Sequence, residues 1–392
     1  MAGRQTIGVS SVCVNFRQAI SVQKWPPAKY VLRESDHPTA GVLATSLDFP
    51  TVDLRRLADT GAAAEEEASK LLSALQSWGA FAVSGHGIPG ALLDGLLAAA
   101  REFFHRPPAE KLRHSNVVVS SSAAADIAGD ANERFQFQPE GYGVDRVDTD
   151  EQVLDWCDRL YLQVSPPESR RLRFWPAHPP SLRRLLEDFT AVSGDRVAAP
   201  LLAAMGAALG FPEDVFSGRL GGEKAATYAR FTYYPPCPRP ELVNGVKPHT
   251  DNSVLTVLLL DPDVGGLQLL SKRDGGAGGD EWVNVGGLGH DLLVIVGDEM
   301  EIMSNGVFRA PVHRVVTSVK ERVSLVMFYL PEPERNLEPV EELVDEARPA
   351  MYRKLKADTF ADGFFDAFAA GERAIDFLKL RVVHQEASAS TS

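Results

Sequence analysis

The chain has 392 residues, 44% of them hydrophobic, so it can bury a large core in one big domain or in several ordinary ones. Its 40 Lys and Arg against 53 Asp and Glu leave a formal charge of −13, and no basic run of five residues occurs. Both features weigh against nucleic acid and anionic membranes as partners and leave a small molecule.

The three cysteines, Cys13, Cys157 and Cys237, are too few and too far apart for a disulfide framework or a C-x-x-C site. No apolar run reaches the roughly 18 to 20 residues that a membrane span needs. The first 33 residues carry five basic residues and no acidic one, as a transit peptide would, but a plain N-terminal arm is the preferred interpretation. The cysteines therefore favour a reducing compartment, and we expect a cytoplasmic protein, with the nucleus as a second compartment, that is a monomer.

The first half of the chain mixes strand and helix patterns. Short strands are predicted at 49–54 and 78–83, and helices at 63–77, 91–104 and 182–210. Residues 117–130 have no amphipathic period, which predicts a loop.

From about residue 226, short β-rich runs alternate with turn clusters, a pattern typical of an antiparallel sandwich or barrel. The predicted strands are 226–234, 254–260, 265–270, 281–285, 291–297, 307–317 and 322–330. The glycine-rich stretch 272–280 predicts a hairpin loop, and helices return at 349–357 and 359–370. The fold class is therefore mainly β with surrounding helices, in one domain.

His249 and Asp251 lie two residues apart at the start of an apolar run. Residues i and i+2 of a strand point to the same face, so these side chains would project side by side, either as half of a metal site or as no site at all. The downstream candidates for a third ligand are His290, His313 and His384. His384 lies in the tail and His290 beside a glycine-rich turn, whereas His313 belongs to an alternating strand. We therefore predict His313 as the third ligand.

Two histidines and one carboxylate on one side of a metal are the ligands of non-haem Fe(II) oxygenases. Zinc hydrolases use the same ligand types, so the three residues alone leave the metal open. Arg322 and Ser324 distinguish the two classes. If strands 307–317 and 322–330 form a hairpin about residues 318–319, His313 lies opposite Ser324, and Arg322 faces the same interior.

A guanidinium inside a barrel needs a carboxylate, and no acidic residue stands at a neighbouring inward position. A dicarboxylate is therefore the expected ligand, because the guanidinium of Arg322 is suited to bidentate pairing with a carboxylate. 2-Oxoglutarate satisfies both ends, with its oxo-acid head on Fe(II) and its distal carboxylate on Arg322 and Ser324.

The ordered motifs of the chain resemble those of the plant soluble 2-oxoglutarate/Fe(II)-dependent dioxygenases. The matching segments are WGAF at 78–81, HGIP at 86–89, YYPPCP at 233–238, HTD at 249–251, GGLQ at 265–268, GD at 297–298, SNG at 304–306, HRV at 313–315 and RVS at 322–324. The resemblance covers most of residues 25–380. GYGVDR at 141–146 and LDWCDRL at 154–160 further resemble the grass oxygenases that hydroxylate triketone herbicides.

The resemblance implies a double-stranded β-helix (jelly-roll) core with His249, Asp251 and His313 as iron ligands. It also implies that Arg322, Ser324 and Tyr234 contact the co-substrate. Thr232 replaces an asparagine that the family often has, which puts one polar contact in doubt. The expected organisation is an N-terminal arm 1–24, a helix-rich region 25–220, the jelly-roll core 221–335, C-terminal helices 336–380 and a tail 381–392.

The expected reaction is oxidation, most simply hydroxylation, of a small, largely apolar specialised metabolite, hormone or xenobiotic. It consumes O₂ and 2-oxoglutarate, releases succinate and CO₂, and uses ascorbate as reductant. Phe328, six residues beyond Arg322 on the same strand face, is a candidate substrate contact, with Phe137 and Tyr142 at the cavity mouth. The alternatives are an ascorbate-dependent oxidase of the same fold and a catalytically idle small-molecule-binding protein.

Overall fold

The computed structural model describes residues 25–37, 49–120, 134–149, 151–271 and 280–380. The α-helices are α1 (Leu54–Leu57), α2 (Ala62–Ser77), α3 (Gly90–His105), α4 (Pro108–Lys111), α5 (Pro180–Ser193), α6 (Ala199–Ala208), α7 (Ser217–Leu220), α8 (Asp298–Met303) and α9 (Ala357–Ala370). The strands are β1 (Thr51–Asp53), β2 (Ala80–Ser84), β3 (Val117–Ser120), β4 (Arg134–Phe137), β5 (Gly141–Gly143), β6 (Asp158–Ser165), β7 (Ala226–Tyr234), β8 (Asn244–His249), β9 (Leu255–Leu259), β10 (Leu267–Ser271), β11 (Glu281–Asn284), β12 (Leu292–Val296), β13 (His313–Val316), β14 (Arg322–Leu330), β15 (Asn336–Leu337) and β16 (Leu355–Lys356).

The strands of the second half alternate between two facing sheets. The larger sheet has the order β1-β2-β12-β9-β14-β7-β6-β5, and the smaller sheet has the order β11-β10-β13-β8. The chain from β7 to β14 therefore winds through both sheets as a double-stranded β-helix. The predicted jelly-roll core is confirmed.

Two neighbouring strands of the larger sheet, β9 and β12, are apolar along their whole length except for Thr256. Every residue of β9 (LTVLL) and β12 (LLVIV) is buried. Such continuous runs, in place of alternation, are expected where both faces of a sheet are covered. One face of these strands looks toward the smaller sheet, and residues of the other pack into the same core cluster as Leu93, Leu96 and Phe104 of α3.

The first half of the chain is built into the same sheet as the second half. β1 and β2 extend it beyond β12, and β6 and β5 extend it beyond β7. Strands of the two halves are thus joined by backbone hydrogen bonds within one sheet.

The predicted hairpin between 307–317 and 322–330 is wrong. β13 begins only at His313 and pairs with β8 and β10, whereas β14 pairs with β7 and β9 in the other sheet. The residues between β13 and β14 cross from one sheet to the other, so Ser324 lies opposite Thr232, and His313 lies opposite His249. The alternation pattern located both strands but carried no information about which sheet each one joins.

Three further expectations differ from the structure. The predicted loop 117–130 contains β3, which pairs with β4, while residues 121–133 lie outside the described part of the chain. The predicted helix 182–210 is interrupted by a wider helical turn at Gly194–Ala198. The predicted helix 349–357 is irregular backbone that ends in β16, and α9 begins at Ala357. The predicted hairpin loop 272–280 lies almost entirely outside the described residues.

Across the described residues, none of the helices combines the length and the apolar character required to cross a bilayer.

Candidate metal and co-substrate site

Two neighbouring strands of the smaller sheet bring the predicted metal ligands together. His249 ends β8, His313 begins β13, and the two residues are direct partners in the antiparallel register. Asp251 follows β8 by two residues. The 62-residue gap between Asp251 and His313 is therefore closed by strand pairing.

The three side chains converge on one point. Nε2 of His249 is 3.7 Å and Nε2 of His313 is 3.6 Å from Oδ1 of Asp251. The potential ligand atoms all lie within 4.8 Å of one another. Across the described part of the chain, no other group of three His, Cys, Asp or Glu side chains is arranged so that it could hold a metal ion.

Backbone carbonyls fix the orientation of both imidazole rings. Nδ1 of His249 lies 2.7 Å from the carbonyl oxygen of Lys247, and Nδ1 of His313 lies 3.2 Å from that of Pro311. A proton on Nδ1 donated to these oxygens leaves the Nε2 lone pair directed at Asp251. This outer hydrogen bond is the usual means of setting the tautomer of a metal-binding histidine.

The electrostatics of the site suit a cation. Burial, and then the nearby His313, hold the pKa of His249 well below its usual value, so the ring is neutral and able to bind a metal. Oδ2 of Asp251 is buried and accepts no hydrogen bond from the residues that the structure describes. An orphaned buried carboxylate oxygen is costly unless a cation balances it. The donor set therefore fits Fe(II).

A short helix that sequence reasoning missed supports the loop of Asp251. The backbone N–H of Asp298, the first residue of α8, donates to the carbonyl oxygen of Asp251 at 2.7 Å. The hydroxyl of Thr250 donates to Oδ2 of Asp298 at 3.0 Å. Burial raises the pKa of Asp298 to about 7, although Arg373 opposes the shift. The GD motif at 297–298 was visible, but nothing in it indicated this contact.

Arg322 and Ser324 lie on the first residues of β14 and face the interior. Arg322 is only 3% exposed, and its Nε donates to the carbonyl oxygen of Val264 at 3.2 Å. Its Nη1 lies 3.5 Å from Oγ of Ser324, and its guanidinium sits 4.9 Å from the ring centre of Tyr234, its partner on β7. Among the described residues no carboxylate pairs with Arg322. This buried guanidinium is thus poised for an acidic ligand.

One cavity contains all six of these residues. Its lining includes the three candidate ligands together with Arg322, Ser324 and Tyr234. The cavity also has an aromatic wall, formed by Tyr161, Phe328, Phe364, Phe365 and Phe368. The last three come from α9, whose contribution to the cavity sequence reasoning did not detect, because the pattern of α9 showed a buried face without showing what it covers.

A charged cluster forms a further part of the wall. The guanidinium of Arg230 makes two hydrogen bonds to Asp145, at 2.9 and 2.8 Å, and Nε of Arg159 lies 2.8 Å from Oδ1 of the same carboxylate. Burial alone would raise the pKa of Asp145, but Arg230 and Arg159 outweigh it and hold this pKa well below the usual value. The motif at 141–146 contains Asp145, but nothing in the sequence indicated that Arg159 and Arg230 would pair with it.

The predicted substrate contacts have different positions. Phe328 lines the cavity. Tyr142 does not: it is buried in the core, its ring meets that of Phe103 edge-on at 5.8 Å, and its hydroxyl donates to Asp158 at 2.8 Å. The mouth position expected for Tyr142 is therefore wrong, because the pairing of β5 with β6 turns this side chain toward α3. Phe137 ends β4, and its contact with a substrate stays a prediction.

Two family models match the chain. That of the 2OG-Fe(II) oxygenase superfamily matches residues 226–331, and that of the N-terminal region of non-haem dioxygenases in morphine synthesis matches residues 49–181. The first match spans β7 to β14 and includes the three converging ligands, Arg322 and Ser324. The chain belongs to the 2OG-Fe(II) oxygenase superfamily.

Relatives of this oxygenase align along nearly its whole length. Jasmonate-induced oxygenase 2 of Arabidopsis thaliana is 32% identical, with 85% of this chain and 84% of the relative covered. 2-Oxoglutarate-dependent dioxygenase 11 of Oryza sativa subsp. japonica is also 32% identical, with 97% and 99% covered. The crystal structure of JOX2 in complex with 2OG, Fe and JA superimposes with a TM-score of 0.78 at 28% identity, covering 96% of this chain and 98% of that one.

Family membership and the converging ligands establish the reaction class. The chain is a 2-oxoglutarate- and Fe(II)-dependent dioxygenase that acts on a small molecule.

Proposed function

We propose that His249, Asp251 and His313 bind one Fe(II), and that Arg322 and Ser324 bind the distal carboxylate of 2-oxoglutarate in the same cavity. The observation that carries this assignment is that both features line one cavity: three converging ligand side chains, one of which keeps a buried carboxylate oxygen without a partner, and a buried guanidinium with no acidic partner among the described residues. When bound, iron and 2-oxoglutarate supply the oxidising power through O₂, with succinate and CO₂ as products.

The residues of the chain then have separate tasks. Arg322 pairs with the carboxylate through N–H groups that Val264 and Ser324 do not occupy. Tyr234 covers one face of the guanidinium, and burial raises the pKa of its phenol, which keeps it neutral. The apolar side chains of the wall exclude water from the site.

The cavity favours a small, largely apolar substrate, and the aromatic wall suits a molecule with a flat or cyclic skeleton. Relatives whose names indicate their substrates support this size class: one structure is of JOX2 with JA, and another is a dioxygenase for auxin oxidation in rice, with a TM-score of 0.65 at 26% identity. We propose oxidation of a plant specialised metabolite, a hormone or a xenobiotic. The motifs at 141–146 and 154–160 favour the branch that hydroxylates triketone herbicides.

The proposal extends to the compartment, the oligomeric state and the organisation of the chain. We infer a cytoplasmic monomer that uses ascorbate to keep its iron reduced, with Phe328 and Phe137 as substrate contacts. The proposed division of the chain is an arm at 1–24, a helix-rich region at 25–220, the jelly-roll core at 221–335, C-terminal helices at 336–380 and a tail at 381–392. β7 and β14, at 226 and 330, support the limits of the core.

The deciding experiment is an anaerobic titration of the protein with Fe(II) and 2-oxoglutarate, followed by admission of O₂ and a panel of phenolic, heterocyclic and triketone compounds. Mass spectrometry then searches for products that gain one oxygen, with succinate measured in parallel. Product and succinate in equal amounts, both dependent on 2-oxoglutarate, are expected. Oxygen uptake with ascorbate alone would instead indicate an oxidase, and tight binding without product would indicate an idle binding protein.

A further inference from the structure

A buried carboxylate that is not among the residues lining the cavity supports the surroundings of the co-substrate anchor Arg322. Asp261 follows β9, and its side chain is completely inaccessible to solvent. A buried charge of this kind is costly unless several donors satisfy it. Its partners therefore indicate what it holds in place.

Four donors converge on the Asp261 carboxylate. Oδ1 accepts the backbone N–H groups of Asp263 and Val264, at 3.1 and 3.2 Å. Oδ2 accepts the backbone N–H of Val323 at 3.0 Å and Nη2 of Arg101 at 2.5 Å. The side chain thus joins three elements: the loop that leads into β10, the start of β14, and helix α3.

Two of these bonds flank Arg322. Val323 is its neighbour on β14, so the bond from Val323 N–H fixes the peptide unit that carries the arginine. Val264, whose N–H is also held, presents its carbonyl oxygen to Nε of Arg322 at 3.2 Å. The guanidinium orientation therefore depends on a loop and a strand that are both held by Asp261.

We propose that Asp261 is a positioning residue for the co-substrate anchor, acting on Arg322 through the Val264 carbonyl and the Val323 amide. The inference rests on the proposed role of Arg322. A bidentate pair with a carboxylate requires the guanidinium to be held within narrow limits, and a side chain whose own supports are fixed loses less entropy on binding. Asp261 sets the affinity for 2-oxoglutarate without taking part in the oxidation.

The test compares Asp261→Asn with Asp263→Asn, which makes the same chemical change at an exposed position of the same loop. In Asp261→Asn the amide NH₂, which cannot accept a hydrogen bond, must replace one carboxylate oxygen. It then faces other donors, either the Val323 N–H and Arg101 or the N–H groups of Asp263 and Val264, and those hydrogen bonds are lost. We expect the apparent KM for 2-oxoglutarate to rise about tenfold or more, with kcat at saturating 2-oxoglutarate within about twofold of wild type. Asp263→Asn is expected to match wild type in both constants.

A double-mutant cycle separates positioning from general destabilisation. If Asp261 acts through Arg322, Asp261→Asn has no further effect on the KM for 2-oxoglutarate in an Arg322→Ala background. Equal effects in both backgrounds, or a fall in kcat with unchanged KM, would overturn the inference. A wild-type enzyme that releases no succinate contradicts the proposed function instead, so the two failures are distinct.

Should Asp261→Asn not fold, Arg101→Met tests the same network from its solvent-side member. Arg101 is partly exposed, so its loss leaves three backbone donors on the carboxylate. The expected result is a smaller rise in the KM for 2-oxoglutarate, about threefold, at unchanged kcat. An unchanged KM in a folded Arg101→Met enzyme would contradict the proposal.

Discussion

Among the described residues, the three proposed iron ligands differ from the other histidines and acids in converging on one point. Each imidazole is fixed by a backbone carbonyl two residues earlier, and Asp251 keeps one buried oxygen without a partner among the described residues. Exposed His290, by contrast, pairs with Asp94 at 2.9 Å. Convergence of three ligand side chains, more than residue type, distinguishes these ligands from surface histidines.

Replacing a ligand should therefore remove turnover while leaving the fold intact. For His313→Ala or Asp251→Ala we expect succinate release to fall by about three orders of magnitude or more, because two protein ligands hold iron poorly. Bound iron, measured after desalting, should fall in parallel. His290→Ala is the matched control and should keep both values. Succinate release at the wild-type rate from the Asp251 variant would contradict its assignment.

At Arg322 the expected loss is in co-substrate affinity. Arg322→Ala should weaken 2-oxoglutarate binding by about 2 to 5 kcal/mol, because a buried carboxylate is left without its partner. Arg322→Lys keeps the positive charge but lacks the planar guanidinium N–H donors, so its affinity for 2-oxoglutarate should lie between those of wild type and Arg322→Ala. Isothermal titration of the Fe(II)-loaded protein under anaerobic conditions measures both. Equal affinities of wild type and Arg322→Ala would show that the anchor lies elsewhere.

At the scale of elements, the strands of the core were predictable because their apolar runs are long and bounded by turn residues. β8 was missed as a strand, since its sequence NGVKPH contains a glycine and a proline and lacks clean alternation. Helix α8 was missed because all six of its residues are buried, acidic ones included, so it has no polar face. Pairing between distant strands, which assembles the site, has no local signature.

The C-terminal helix α9 lines the cavity beside the proposed metal ligands. The ring of Phe368 meets that of His249 edge-on at 5.4 Å, and Nζ of Lys247 lies 4.3 Å from the centre of the Phe368 ring. Phe364 stacks on Phe368 from the same helix. The substrate should therefore touch this helix.

Phe368→Ala should lower the free energy of unfolding by about 3 kcal/mol, the cost of a cavity at a buried aromatic residue. It should also raise the KM for the organic substrate while leaving the KM for 2-oxoglutarate nearly unchanged, because Arg322 lies on another element. Denaturant unfolding and steady-state kinetics measure the two effects. Phe377→Ala, at a position 61% exposed, is the control and should change neither. A selective rise in the KM for 2-oxoglutarate would contradict this division of roles.

Helix α8 contains a buried carboxyl group, Glu299, whose ionisation makes the free energy of unfolding depend on pH. Glu299 is fully buried and neither carboxyl oxygen has a hydrogen-bond partner within the described chain, so burial, and then neighbouring Asp298, raise the pKa of Glu299 well above its usual value. A carboxyl whose pKa is higher in the folded state stabilises the protein below its unfolded pKa. That contribution is lost as the pH rises through the folded value.

Glu299→Gln removes this titration. The difference in unfolding free energy between the variant and wild type should therefore shift in favour of the variant from pH 5 to pH 8, by about 1.4 kcal/mol for each pKa unit of the shift that lies in this range. Chemical denaturation of the metal-free protein at both pH values measures the difference. Exposed Glu342→Gln should follow the wild-type profile. A pH-independent difference for Glu299→Gln would refute the raised pKa.

At the scale of the whole molecule, both halves of the chain build one sheet and one cavity. Strands of the first half extend the larger sheet at both edges, β6 carries Tyr161 to the aromatic wall, and α9 contributes three phenylalanines to the same wall. The candidate ligands and Arg322 were predictable from spacing and motif, although the strand geometry assumed for them was partly wrong, because Asp251 lies beyond the end of β8 and the expected hairpin does not form. The walls were not, because Asp145, Arg159 and the α9 phenylalanines meet only through long-range packing.

The most direct test of the central claim is an anaerobic crystal structure of the protein with Fe(II) and 2-oxoglutarate, with iron located by its anomalous scattering. We predict one iron bound by Nε2 of His249, Nε2 of His313 and a carboxylate oxygen of Asp251, with the distal carboxylate of 2-oxoglutarate paired with Arg322. Iron bound at other residues, or 2-oxoglutarate with its distal carboxylate away from Arg322, would contradict the account.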